Sequence, residues 1–286
     1  MLQPPSQQPN TTLGKSNRYL LSCCSLRKMA VRVWKKSDDG RFKWMTLTAK
    51  YLPETIDLFR KSFYVHEPVC KVVGLAHTKK GGDQFAKLLA DVAEDGMSVI
   101  AVEVATDKVV GAALNKLQYV CFSQYKEDPE KSVLERHRSP DNDPAVTELI
   151  DFENQIEEEV DIFSRLGVNC LIDHMFLATH PDFYGQGIGL NTVVATVEFA
   201  KALNKGEDIV VPISEDKFPW KKTPPPLPEA VTAMFTSSVS QKIGYNLGWE
   251  EISVISYEKM YYQGQSYISK LEKENWCTKY FALKLP

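Results

Sequence analysis

A chain of 286 residues with a formal net charge of −3 makes no electrostatic case for binding nucleic acid, and none of its apolar runs reaches membrane-spanning length. Hydrophobic residues at 43% and charged residues at 25% give the composition of an ordinary soluble globular protein, long enough for one large domain or two small ones. The six cysteines (Cys23, Cys24, Cys70, Cys121, Cys170, Cys277) show no CxxC spacing and the five histidines are scattered, so reduced thiols in an intracellular protein are expected, with no disulfide framework and no zinc site.

Gln, Pro, Asn, Ser and Thr dominate up to Asn17, and no acidic residue precedes Asp38, although Lys15, Arg18, Arg27 and Lys28 do. Residues 1–30 are expected to be a disordered tail; translation starting at Met29 and a mitochondrial presequence are the alternatives, the latter with a poor amphipathic pattern. Val31 to Lys35 and Phe42 to Leu47 flank Ser37-Asp38-Asp39-Gly40 and read as a hairpin or as a strand with a ragged approach. Leu52, Ile56, Phe59 and Phe63 mark one face of a helix that ends before Pro68. Gly82 to Asp95, with Phe85, Leu88, Leu89 and Val92, reads as a second helix stopped by Gly96. Ser98 to Val104 and Val109 to Tyr119 are apolar runs joined by Ala105-Thr106-Asp107-Lys108, a second hairpin.

Gln124 to Pro144 is polar and charged and reads as a loop. Val146 to Leu166 reads as one long helix with Leu149, Phe152, Ile156, Val160 and Phe163 on its apolar side. Glu148, Asp151, Glu153, Glu157, Glu158, Glu159 and Asp161 form its other side, expected to be a solvated face, with a cation-attracting wall as the alternative. Leu171 to Ala178 is a buried strand that Pro181 prevents from continuing. Leu190, Val193, Val194, Val197 and Ala200 then recur at helical spacing. Between strand and helix, Gly185, Gly187 and Gly189 alternate with Gln186 and Ile188. A glycine turn ahead of a helix N-terminus is suited to an anion, phosphate above all, and a ligand-free turn is the competing reading. The dinucleotide fingerprint fails because Leu190 stands where it needs glycine, and the Gly-Lys-Ser/Thr of a Walker turn is absent.

Gly206 to Pro228 is a proline-rich insertion with Trp220 and Pro224-Pro225-Pro226, expected to be extended loop with a short strand at Ile209 to Ile213. A strand at Ala230 to Thr236, a helix from Val239 to Asn246 ended by Gly248-Trp249, and strands at Ser253 to Met260 and Tyr280 to Leu285 complete the chain.

Three segments now resemble one family. Tyr184-Gly185-Gln186-Gly187-Ile188-Gly189 resembles the Q/R-x-x-G-x-G/A turn of the GCN5-related N-acetyltransferases (GNAT), except that Tyr184 replaces Arg or Gln. His66-Glu67-Pro68 is similar to the acid-Glu-Pro element of the insect arylalkylamine N-acetyltransferases in that superfamily, with His66 in place of the acid. The run from Phe235 to Trp249 resembles their Ser-rich strand-to-helix step ending in Leu-Gly-Phe, with Thr236 replacing one serine. The resemblance implies an α/β GNAT fold: a mixed central sheet of about seven strands, splayed at an acetyl-CoA site and flanked by helices. Residues 31–286 would be a single acetyltransferase domain carrying the insertion at about 206–228.

It also implies acetyl transfer from acetyl-CoA directly to a primary amine, arylalkylamine or polyamine-like, through a ternary complex. A protonated amine cannot attack a thioester, so a base must take its proton; Glu67 matches the catalytic glutamate, and an ordinary surface glutamate is the alternative. Thr236 and Ser240 match serines that such enzymes place near the site, while helix capping by Ser237 or Ser238 competes for that stretch. The acetyl-CoA contacts would come from Phe176, Leu177, Ala178, Gly185, Gln186, Gly187, Ile188, Gly189, Leu190 and Ser237, with strand amides serving the oxyanion. Gly244 occupies the position where many superfamily members carry a tyrosine acid, and Tyr245, rotated by about 100° on the helix, is not expected to replace it. The expected partner is a small-molecule amine, with no nucleic acid, membrane or metal, for a cytoplasmic or mitochondrial monomer. A non-catalytic acyl-CoA-binding or interaction module, and a protein N-acetyltransferase, are the alternative functions.

Overall fold

The computed structural model describes residues 31–120 and 132–286. The expected tail, Cys23, Cys24, Cys121 and the first part of the expected loop after Gln124 lie outside the described residues. The N-terminal hairpin forms as β1 (Val33–Lys36) and β2 (Phe42–Thr46). Helices α1 (Leu52–Lys61), α2 (Phe63–His66), α3 (Pro68–Val73) and α4 (Lys79–Ala93) follow. The second hairpin is β3 (Val99–Glu103) with β4 (Lys108–Tyr119), both buried along most of their length. Then come α5 (Val133–His137), α6 (Pro144–Val160), α7 (Ile162–Leu166), β5 (Cys170–Thr179) and α8 (Ile188–Asn204). β6 (Ala230–Phe235), α9 (Ser238–Asn246), β7 (Glu250–Ser256), a small pair β8 (Tyr261–Tyr262) and β9 (Gln265–Ser266), and β10 (Cys277–Lys284) close the chain.

Several expectations need correction, each for a local reason. Pro68 does not merely end a helix: it opens α3, since a proline at the first helical position loses no hydrogen bond. Pro144 likewise opens α6, whose N-cap Asp143 accepts from the amide of Ala145 at 3.0 Å. The single helix expected up to Leu166 is broken at Asp161, which takes the left-handed conformation with φ 42°. The loop before α6 contains α5, capped by Ser132 and anchored by buried Val133 and Leu134. The strand expected at Ile209 to Ile213 does not form: Ile209 and Val210 are buried, and Val211 makes one backbone bond to Gly96. Ser253 to Met260 is strand only to Ser256, after which a short 3₁₀ turn leads into β8.

Eight strands form the main sheet in the order β1-β2-β3-β4-β5-β6-β10-β7, one more than the approximate seven expected. Every pairing is antiparallel except β5 with β6. β5 is buried on both faces, so it reads as a continuous apolar run rather than an alternating one. Leu171, Phe176 and Ala178 join a core beneath α1, α4 and α6, and Cys170 and Ile172 join a second core under α8.

The parallel pairing positions the site. β5 and β6 are joined only where Leu171, Ile172 and Asp173 face Ala230, Val231 and Thr232. Beyond Asp173 they part, and a bulge at Met175 shifts the register of β5 against β4. α8 and α9 start past the carboxyl ends of these two strands, flanking the gap, which is where open α/β sheets place ligands.

Candidate functional site

A cavity of about 580 Å³ runs through the gap from one face of the sheet to the other. At one end lie Gly185, Gly187, Ile188, Gly189 and Leu190; between the strands lie Phe176 and Leu177 on one side and Thr236, Ser237 and Ser240 on the other. The far wall is apolar, built from Phe63, Phe85, Leu149 and Ile150, and carries Glu67 and Glu153. Two expected contact residues stay out of the lining. Ala178 is packed in the core, and the Gln186 side chain turns outward, where Arg41 donates to it at 3.1 Å.

Gly185 and Gly187 hold φ of 76° and 73°, a conformation glycine adopts without strain, and a Cβ on Gly185 would meet open space. α8 begins at Gly187 with no side chain capping its first turn. The N-caps of α3, α4, α5, α6 and α9 supply a side-chain acceptor, whereas α1, α2, α7 and α8 have none, and of these α8 is the one that starts on the glycine turn lining the cavity. Donors without partners at the positive end of a helix dipole fit a phosphate group. Along the gap, the edge of β5 past Asp173 has no strand beside it and can pair with amides of a ligand.

Tyr184 is turned back from this helix start toward the Glu67 side of the cavity. The Ser62 hydroxyl donates to the Thr179 carbonyl at 2.7 Å, so the Tyr184 hydroxyl is the donor in its 3.0 Å bond to Ser62. Its ring stands edge-on to His66, with centroids 6.0 Å apart. Two of the departures from the resembled pattern, Tyr184 and His66, therefore meet at the cavity wall.

Glu67 lies between α2 and α3 in extended conformation and caps α3, its two carboxylate oxygens accepting from the amides of Val69 and Cys70 at 3.0 and 2.6 Å. These bonds fix the carboxylate beside the cavity and leave each oxygen a further lone pair. Ser237 and Ser240 form a capping box at the start of α9: the Ser240 amide donates to the Ser237 hydroxyl at 3.1 Å, and the Ser237 amide donates to the Ser240 hydroxyl at 3.2 Å. Of the expected alternatives, the cap is Ser237 and not Ser238. Both serines nonetheless line the cavity with Thr236, whose carbonyl accepts from the Tyr257 hydroxyl at 3.1 Å. Gly244 is fixed by packing, because a Cβ there would lie 2.8 Å from the Phe281 ring. Tyr245 points outward to Lys279 and Glu251, as its helical phase suggested.

The acidic side of α6 departs from a solvated face. Glu158, Glu159 and Asp161 are exposed, but Glu153 lines the cavity and Glu157 lies behind it. Gln118 bridges Glu157 to Asp173 on β5, donating at 3.3 and 3.1 Å, and Asp173 also accepts from Thr232 at 3.1 Å. Burial first, then neighbouring carboxylates, keeps Glu153 protonated far above the ordinary carboxylate range; burial raises Glu157, and burial with the Glu157 charge lifts Asp173 to about 8. His174, the first β5 residue past the last β6 pair, is 2% exposed and has no hydrogen-bond partner on either ring nitrogen. Burial lowers its pKa to about 4, so the ring is neutral at pH 7. Sequence reasoning named neither Glu153 nor His174 as site residues. The available signals were the four-residue step from Leu149 to Glu153 and an Asp-His pair inside an otherwise apolar strand.

No protein-family model matches the chain, and no curated protein matches its sequence. Solved structures do. A candidate arylalkylamine N-acetyltransferase 7 from the yellow fever mosquito Aedes aegypti superposes with a TM-score of 0.67 at 17% identity, over 92% of this chain and 98% of that one. Arylalkylamine N-acetyltransferase 2 from the same mosquito gives 0.66 at 18%, over 86% and 99%. A Drosophila melanogaster polyamine N-acetyltransferase that forms N-acetylagmatine gives 0.62 at 13%, over 85% and 100%. At these identities the likeness is one of fold, and the chain has the GNAT fold: a mixed sheet, splayed at its one parallel pairing and flanked by helices.

Proposed function

We propose that the protein transfers an acetyl group from acetyl-CoA directly to a primary amine, arylalkylamine or polyamine-like, within a ternary complex. The observation that carries this reading is the single cavity crossing the sheet, with an uncapped glycine-turn helix start at one end and carboxyl groups at the other. The fold shared with N-acetyltransferases of amines supports it.

In this reading the amides from Gly185 to Leu190 take the pyrophosphate, and the pantetheine arm lies along the free edge of β5 at Phe176 and Leu177. The acceptor enters as an ammonium and gives a proton to Glu67, directly or through water. Its lone pair then attacks the thioester carbonyl. The C–N bond forms as the carbonyl π pair moves to oxygen, backbone amides of the bulged stretch of β5 hold that oxyanion, and its collapse breaks the C–S bond while the surplus proton on nitrogen passes to the CoA thiolate. Thr236 and Ser240, with Ser237 behind them, hydrogen-bond near the departing sulfur.

Direct transfer is favoured over an acyl-enzyme by the placement of the thiols. Cys70, Cys170 and Cys277 are buried, none lines the cavity, and burial raises each thiol pKa, that of Cys170 to about 12.

Thiol release from acetyl-CoA over a panel of arylalkylamines, diamines and peptides tests the reaction. Turnover with small amines is expected. Heat of CoA binding without turnover would instead favour a binding module, and turnover on peptides alone a protein acetyltransferase. Glu67→Ala should lower kcat/KM by about 10²-fold or more and flatten its pH dependence; full activity with the wild-type profile would remove Glu67 from the mechanism.

A further inference from the structure

One carboxylate suffices to deprotonate an amine, and this cavity holds more acid than that. Glu67 and Glu153 both line it, from the start of α3 and from α6, and no Lys or Arg does. Two backbone amides engage Glu67, whereas no described residue donates a hydrogen bond to Glu153. The groups acting on Glu153 come from every element around it: Glu157 on α6, Asp173 on β5, Glu67 and Cys70 at α3, Tyr257 after β7 and Tyr280 on β10. Each is acidic or neutral, and none is a base. Glu153 is half-buried, so its carboxyl has the water of the cavity but no protein donor or counter-ion, and a ligand that supplies both favours its charged form.

The walls narrow the class of ligand. The complement to a carboxyl set in such walls is an organic cation. Phe63, Phe85, Leu149, Ile150 and Phe176 form the apolar part of the chamber, a lining suited to methylenes.

Resting on the acetyl-transfer reading above, we infer that Glu153 is a specificity-determining residue that receives the second cationic centre of a diamine, an ammonium or guanidinium whose partner amine lies at Glu67. The exchange balances in charge: the entering cation pairs with the Glu153 carboxylate, and the proton formerly on Glu153 leaves to solvent.

The test compares 1,6-diaminohexane with hexylamine by titration calorimetry at pH 7, in two buffers of different ionisation enthalpy. The wild-type protein should bind the diamine at least about tenfold more tightly and release about one proton. Glu153→Gln should abolish the proton release and bring the two amines to within about twofold, with the turnover defect carried by KM for the diamine rather than by kcat. Equal wild-type affinity for the two amines would overturn the inference, as would discrimination and proton release that survive in Glu153→Gln. Both readouts are of binding, so a protein that binds the diamine in this way without acetylating it would refute the proposed reaction and leave the assignment of Glu153 standing.

Discussion

Glu67 does two things at once, and the pairing explains why a Glu-Pro step occupies that place. Pro68 presets the first turn of α3, and Glu67 supplies that turn's missing acceptor, so the backbone that positions the carboxylate is itself held by it. Gly244 shows the opposite logic, a residue set wholly by a neighbour. Its missing Cβ admits the Phe281 ring, which closes on it from β10. Gly244→Ala should therefore destabilise the protein by about 1–3 kcal/mol despite the better helix propensity of alanine, read as a lower urea midpoint at unchanged slope. At this scale the sequence is legible where a residue's own chemistry sets its conformation, as at Pro68, Gly187 or the Ser237 cap. Glu153 was hidden because a carboxyl on the flank of an amphipathic helix faces water or a cavity according to what packs opposite. That choice is made by β5 and α3, far away in the chain.

The elements were mostly legible from apolar period and from glycine and proline punctuation. Among the misses were α3 and α5, too short for periodicity to distinguish a turn of helix from loop, the break at Asp161 ahead of α7, and the strand expected at Ile209 to Ile213, where burial occurs without strand pairing. α8 is the element in which local structure and function meet. It starts on a left-handed glycine with no capping side chain, and a ligand anion is the natural substitute for the cap. Gly187→Ala forces a side chain into φ 73° at a strain of about 1–2 kcal/mol, with its Cβ 3.4 Å from Asn191. We expect KM for acetyl-CoA to rise by about tenfold while KM for the amine moves by less than about twofold. An equal rise in both would place the turn outside CoA binding.

Across the molecule, buried titratable groups give stability an unusual dependence on pH. Asp173 holds its proton to about 8 when folded but releases it near the ordinary 3.8 when unfolded, so its contribution is fully present in acid and is lost as pH rises through 8. Glu153 and Glu157 act in the same direction. His174 acts oppositely: folded it resists protonation down to about 4, so its contribution is lost as pH falls from 6.5 toward 4. Between pH 6.5 and 8 the acids act without that offset, and stability should decline by up to about 1.4 kcal/mol per pH unit for each group involved. Asp173→Asn should flatten the decline, as measured by denaturant midpoints at pH 6.5 and 8. An equally steep decline in the variant would mean that Asp173 is already ionised at pH 6.5.

The short pairing of β5 with β6 has a mechanical consequence. Among the described residues, three residue pairs, ending at Asp173 and Thr232, are the only strand contact between β1–β5 and the trio β6, β10 and β7. The sheet is thus two stiff leaves on a three-rung spine, and the unpaired strand ends are lever arms. A small rotation about the spine widens the gap most at Thr179 and Phe235 and least at Asp173. The last rung is itself cross-linked by the Thr232 hydroxyl donating to Asp173, the same carboxyl that lies behind Glu153. The carboxyl that closes the last rung of the spine thus belongs to the same acidic group as the cavity wall.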